Sequence, residues 1–203
     1  MFIDLSVKLN ESTPAYPGDP MIDIKETEKL DVQGYCGHRV TLGTHTGTHI
    51  DAPSHMVEGG KNLGHFSLET FIGRAKCIDV TAGYSIDKCS ELELGEGDIV
   101  LLMSGMSTRY YEPEYFTDYP VMTNEFADYL VEKKVKMVGL DTCSADKVTG
   151  FPVHKKLLGS EILIIENLTN LDRLPRQGFT LFALPLNLDL DAAPARVIAK
   201  VGE

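Results

Sequence analysis

Between positions 45 and 55 the chain carries three of its six histidines and one aspartate, in the run Gly43-Thr44-His45-Thr46-Gly47-Thr48-His49-Ile50-Asp51-Ala52-Pro53-Ser54-His55. Neutral imidazole nitrogen and carboxylate oxygen are the ligand set of zinc and related divalent ions. His45 and His49 would share one face of a helix. Thr44, Thr46, Thr48 and Ile50 are β-branched, however, and Gly47 and Pro53 are poor helix-interior residues. An extended chain puts His45, Gly47, His49 and Asp51 on one side. A straight strand would hold the two histidine Cα atoms about 13 Å apart, at ~3.3 Å per residue, too far to share an ion. The chain must therefore curl, and Gly47 is the residue that permits it. Pro53 then turns the chain again and brings His55 back toward the group. A polar turn of mutually bonded threonines and histidines is the bland alternative; it leaves the concentration of histidines unexplained.

The elements that must carry this stretch are legible from apolar patterning. Residues 2–7, 21–27 and 38–43 read as strands, the last leading directly into the histidines. Residues 76–81, 98–103, 136–140 and 161–166 are strongly apolar, and runs such as Ile99-Val100-Leu101-Leu102 and Ile162-Leu163-Ile164-Ile165 suit strands covered on both faces. Two further strands are expected at 179–184 and 196–201. The strongest helix spans about 124–134, capped by Thr123 or Asn124, with Phe126 and Leu130 on its apolar face. A shorter one is expected at 67–72, with Ser67 as its cap. His38 reads as a strand-face residue, His65 as structural or at a pocket edge. The segment from Tyr110 to Tyr119 is rich in tyrosine and acidic residues, fitting either a lid or subunit contact or the wall of an aromatic pocket.

Composition narrows the function. With 203 residues, 43% hydrophobic and 24% charged, the chain fits one domain, 1–203, with a substantial core. A net charge of −11 argues against nucleic acid or an anionic membrane as the main partner, since both need a basic surface. No apolar run approaches the ~18 residues of a membrane span, and residues 1–15 show neither the basic start nor the apolar stretch of a signal peptide. Cys36, Cys77, Cys89 and Cys143 form no Cys-x-x-Cys pair and read as reduced thiols of a cytoplasmic protein. Cys143, close to an expected strand end, can line a pocket, but no histidine partner for a nucleophile is identifiable nearby.

The histidine run, with Tyr16-Pro17-Gly18-Asp19, Gly97-Asp98-Ile99-Val100-Leu101-Leu102, Gly139-Leu140-Asp141-Thr142 and Pro194-Ala195-Arg196-Val197-Ile198-Ala199, resembles the cyclase-like metal-dependent hydrolases. That family includes bacterial kynurenine formamidases and isatin hydrolases. The likeness covers nearly the whole chain. It implies an α/β fold: a single domain whose mixed, partly barrel-like β-sheet is flanked by helices, of swivelling β/β/α type. It also implies two metal ions per chain, Zn2+ first and Mn2+ next. His45, His49 and Asp51 would hold the first ion; the bridging Asp51 with His154 and Glu166 would hold the second. Both distant residues make sense on their own. His154 sits in a Gly-Phe-Pro-Val-His segment read as a loop, and Glu166 closes an apolar strand, where a buried carboxylate needs a charge partner. His55, left over once ligands are assigned, is the expected general acid and base, as in the resembled family; orienting a ligand carboxylate is its alternative role.

The resemblance places an aromatic from the proline-rich loop in the substrate pocket, and Tyr16 holds that position. The formamidases have tryptophan there, and this chain contains none. The departure bears on the substrate, not on the hydrolytic chemistry. The expected activity is hydrolysis of a small aryl amide, N-formylkynurenine first, which would place the chain in tryptophan catabolism. Hydrolysis of isatin or another cyclic or aryl amide is the alternative, and a metal-dependent binding protein without turnover is the alternative of another class. Arg109 or Arg196 is the candidate cation for a substrate carboxylate. A homodimer or higher even-numbered oligomer is expected, with the Tyr110–Tyr119 segment as a contact.

Overall fold

The computed structural model describes residues 1–84 and 93–202. Cys89 lies outside the described residues; Cys36, Cys77 and Cys143 are free thiols.

The apolar runs form a closed sheet. Its strands are β1 (Phe2–Asp4), β4 (His49–Asp51), β5 (Ile72–Asp79), β6 (Ile99–Met103), β7 (Met137–Leu140), β8 (Leu163–Glu166), β9 (Phe179–Pro185) and β10 (Ala192–Val201). They follow the order β1-β10-β4-β8-β7-β6-β5-β9, and β9 pairs back onto β10. Seven strands thus close a barrel, and β1 lies outside it on β10. The strands β5, β6, β7 and β8 run parallel. β10 performs the closure because it is long: Ala192–Pro194 pair with β4 and Ala195–Val201 with β9.

Alternation within these strands separates two apolar layers. Ile99, Leu101, Met137, Leu163, Ile165, and Leu181 point into the barrel. Val100, Leu102, Val138, Leu140 and Ile164 point outward, against two helices. This explains why the parallel strands read as continuous apolar runs: both faces are covered. The covering helices are α2 (Asn124–Glu132), which packs Phe126, Ala127 and Leu130, and α3 (Pro152–Gly159), which packs Val153, Leu157 and Leu158. Thr123 caps α2, its hydroxyl accepting the Phe126 N–H at 3.1 Å.

A separate two-stranded arm, β2 (Asp23–Glu28) with β3 (Gly37–Thr41), is joined by the single turn α1 (Leu30–Gln33) and pairs with no barrel strand. His38 is a strand-face residue of β3, and it stands exposed there.

Two expectations are corrected. Residues 68–71 form a 3-10 turn rather than a helix, because β5 already begins at Ile72, paired with Phe182 of β9. His154 lies not in a loop but in the first turn of α3, which starts at Pro152. Proline suits the first helical position, where its missing N–H is not needed, and Val153 with Leu157 supplies the helical spacing. Among the described residues, no helix is long and apolar enough to cross a membrane.

Candidate metal centre

Strand pairing assembles the first half of the site. His49 of β4 lies directly opposite Glu166 of β8, and Asp51 lies opposite Ile164. Ile50 between them points into the barrel. His49, Asp51 and Glu166 therefore project from the outer face of the sheet, where α3 covers them with His154. All four are buried, at 1–5% exposure. The turn before β4 brings in His45. Gly47 makes this possible with φ +66°, and a Cβ there would also lie 2.3 Å from Leu9 Cδ2. Beyond β4, the turn Pro53–His55 returns His55, whose ring centroid lies 4.1 Å from that of His45.

Three imidazoles are each anchored by one nitrogen and aimed by the other. His49 Nδ1 lies 2.8 Å from the Gly47 carbonyl, so it donates there, and Nε2 faces Asp51 at 3.3 Å and Glu166 at 3.5 Å. His154 Nδ1 lies 2.9 Å from Asp146 Oδ2, and Nε2 lies 3.1 Å from Glu166 Oε1. His45 Nε2 lies 3.0 Å from Asp191 Oδ2, and Nδ1 lies 2.9 Å from Asp51 Oδ1. An outer acceptor that fixes the tautomer and turns the lone pair inward is the usual support of a metal-binding histidine.

The inner atoms form two sets that share an aspartate, His45, His49 and Asp51, then Asp51, His154 and Glu166, and a third, more exposed group of His45, His55 and Asp191 stands beside them. Within each set the ligand atoms lie within 4.8 Å of one another. His49 Nε2 and Asp51 Oδ2 are buried without a well-formed hydrogen bond, and Asp51 Oδ1 meets His45 and His49 only through close ion-pair contacts. Buried polar atoms are rarely left so. A divalent cation held among these donors would satisfy them, so the residues present fit a metal. Without a cation, protons serve instead. Burial pushes the imidazoles down, but Asp51 with Asp191 raises His45 to about 9, and Asp146 with Glu166 raises His154 to about 10. Burial would raise the Asp51 carboxyl, but the histidines beside it hold it well below the usual range. His55 behaves differently. Burial pushes it below its ordinary value, and His45 and His154 add to that against the pull of Asp51, so its neutral form is favoured.

These groups floor a cavity of about 210 Å³. Tyr16, Tyr110, Phe116, Phe151 and Met56 line its walls. Tyr16 meets Phe116 edge to face at 6.3 Å. In the tyrosine-rich segment Tyr110, Tyr115 and Tyr119 are buried, Tyr110 and Phe116 line the cavity, and Tyr111 stands exposed. Cys143 lines the cavity, but burial pushes its thiol up to about 12, far from a nucleophilic thiolate. Neither candidate arginine faces the cavity. Arg109 pairs with Glu112 at 2.9 Å, and Arg196 holds Asp4 through two bonds of 3.0 and 2.7 Å. His65 is exposed beside Asp189, outside both metal sets.

Two residues escaped the sequence reading. Asp146 orients His154 and also accepts the Val153 and His154 backbone N–H groups at the start of α3. Asp191 reaches His45 because the next residue, Ala192, pairs with Asp51. Neither carries a local signal; each is brought in by a pairing or a helix start.

Comparison with known proteins agrees with this geometry. Residues 3–147 match the model of the family described as "Putative cyclase". The chain belongs to the cyclase family. An uncharacterized protein of Methanocaldococcus jannaschii is 38% identical over 186 residues, covering 91% of each chain. The kynurenine formamidase of Bacillus cereus is 31% identical over 204 residues, covering 98% of this chain and 97% of that one. Isatin hydrolase A of Labrenzia aggregata superposes with a TM-score of 0.90 at 26% identity, over 100% of this chain and 94% of the other. The closed mixed sheet with a few flanking helices is thus the fold of cyclase-family hydrolases.

Proposed function

We propose that this chain is a metal-dependent hydrolase of aryl amides, with N-formylkynurenine the first substrate to test. The observation that carries the reading is the convergence of three outward-anchored imidazoles, Asp51 and Glu166 as two donor sets whose atoms lie within 4.8 Å of one another, with His55 alongside. His45, His49 and Asp51 would hold one ion, and Asp51, His154 and Glu166 a second. Zinc suits this nitrogen and oxygen set best, then manganese. Such ions make water acidic enough to ionise near neutral pH and polarise a carbonyl.

The chain's own groups do the rest. Tyr16, Tyr110 and Phe116 offer ring faces and edges to an aryl group. The crowding of the histidines at the cavity floor limits the acyl part, and formyl is the smallest. His55 takes a proton from the attacking water and delivers it to the departing aniline nitrogen. Its place on the rigid Pro53–His55 turn holds it at the cavity floor while both transfers occur.

The likeness to isatin hydrolase A supports a cyclic amide as the second reading. The test compares N-formylkynurenine, isatin and a simple aliphatic formamide at equal metal loading and after chelation. Preference for an aryl compound, lost on chelation and restored by zinc or manganese, supports the reading. Preference for the aliphatic amide removes the aryl assignment. No turnover of any amide, with metal bound, leaves a metal-dependent binding protein.

A further inference from the structure

We propose that Asp191 is a positioning residue for proton transfer: one carboxylate oxygen holds His45 and His55 together and decides which nitrogen of His55 is free. The proposal rests on the hydrolase reading above. Asp191 directly precedes β10, and its carbonyl accepts the Ala52 N–H at 2.8 Å. The pairing of Ala192 with Asp51 follows at once. The ladder that places the shared aspartate therefore also places Asp191.

Its Oδ2 lies 3.0 Å from His45 Nε2 and 3.5 Å from His55 Nδ1. A carboxylate oxygen only accepts, so each of these nitrogens is best served by carrying the proton. On His45 that leaves the Nδ1 lone pair facing Asp51, as a cation ligand needs. On His55 it leaves Nε2 as the one nitrogen able to accept a proton. A reversed tautomer would put the His55 lone pair against the carboxylate and leave the wrong nitrogen free. The two rings lie in contact, tilted by 42° with centroids 4.1 Å apart, so fixing one also restrains the other. Asp191, His45 and His55 stand at the open edge of the centre, with side chains 38%, 21% and 24% exposed. Among the described residues, Asp191 is the one ion-pair partner of His55 Nδ1. This dependence on a single acceptor makes the carboxylate decisive.

The test places Asp191→Ala and Asp191→Asn in both the native and the His55→Ala backgrounds, all saturated with zinc and assayed on an aryl formamide by single turnover. We expect Asp191→Ala to lower kcat about 10–100-fold in the native background with KM unchanged. Because Asp191 acts through His55, no further fall is expected in the His55→Ala background. Nitrogen-15 spectra of histidine-labelled, metal-free protein should show His55 protonated at Nδ1 in the native chain and as a tautomer mixture in both variants. Asp191→Asn, nearly the same shape, guards against misfolding of the alanine variant. Equal losses in both backgrounds would overturn the proposal, as would an unchanged kcat once zinc saturates. So would excess-zinc inhibition that Asp191→Ala abolishes without slowing the zinc-saturated rate, which would mark His45, His55 and Asp191 as an extra cation site. If the native chain hydrolyses no amide, the functional reading fails, while the His55 spectra still decide the tautomer.

Discussion

At the scale of single residues, the proposed ligands and the proposed base are distinguishable because their nitrogens face different ways. His49 Nε2 is buried and aimed at Asp51 and Glu166, so His49→Ala should lower both bound metal and turnover. His55 belongs to neither set around Asp51, so His55→Ala should retain metal and lose roughly 10²–10⁴ in kcat. Metal analysis beside kinetics checks both; loss of metal from the His55 variant would make it a ligand. Cysteine chemistry is a second residue-level matter. Burial pushes the Cys77 and Cys143 thiols up to about 12, so both stay protonated at pH 8. Native protein treated with iodoacetamide should be alkylated at the exposed Cys36 and spared at Cys77 and Cys143. Rapid alkylation of Cys143 with loss of activity would point to a thiol mechanism.

At the scale of elements, the turn carrying His55 depends on a glycine five residues on. A Cβ at Gly60 would lie 2.6 Å from the Pro53 carbonyl carbon and 2.7 Å from the Ser54 nitrogen, both backbone. Gly60→Ala must push that turn aside. We expect a loss of about 1–3 kcal/mol in stability and slower turnover with metal retained. Denaturant melts, kinetics and metal content check this; a variant as active and stable as the native chain would show the turn to be compliant. The β2–β3 arm raises the other element-level question. An isolated two-stranded ribbon is marginal in water. Met21, Leu30, Val32 and Tyr35 around it are 59–71% exposed, and no residue of α1 is buried. We propose that a second copy of the chain covers the arm and makes a dimer contact there. Light scattering should give twice 22.4 kDa, and Leu30→Asp with Val32→Asp should shift it to the monomer. A monomeric native chain at micromolar concentration overturns this.

At the scale of the whole molecule, the centre ties β4, β8 and α3 together. Asp51 and Glu166 are buried at 1% and 5% exposure, and such charges need partners. A cation bound only by the folded chain adds about 2.7 kcal/mol at a hundredfold excess over its Kd. Chelation should therefore lower the melting temperature by several degrees, and zinc should restore it. An unchanged melting temperature, with metal loss verified by elemental analysis, would mean that the protons on His45 and His154 hold these elements equally well.

The sequence by itself determined the strands buried on both faces, the α2 helix with its Thr123 cap, the bend at Gly47 and the histidine cluster. Each of these follows from local chemistry: apolar runs, an N-cap, a left-handed glycine, a concentration of imidazoles. His154 and Glu166 were reached only through resemblance to a family, because nothing between residues 55 and 154 announces that they meet. The tertiary structure decided the rest. It turned the segment around His154 into a helix, since Pro152 reads as a loop until the outer face of the sheet offers Val153 and Leu157 a place to pack. It paired His49 with Glu166 across β4 and β8, and it closed the barrel through one long strand. It also brought in Asp146 and Asp191, the carboxylates that set the histidine tautomers. Register and helix placement are collective results of burying two apolar layers at once, and no short stretch of sequence encodes them.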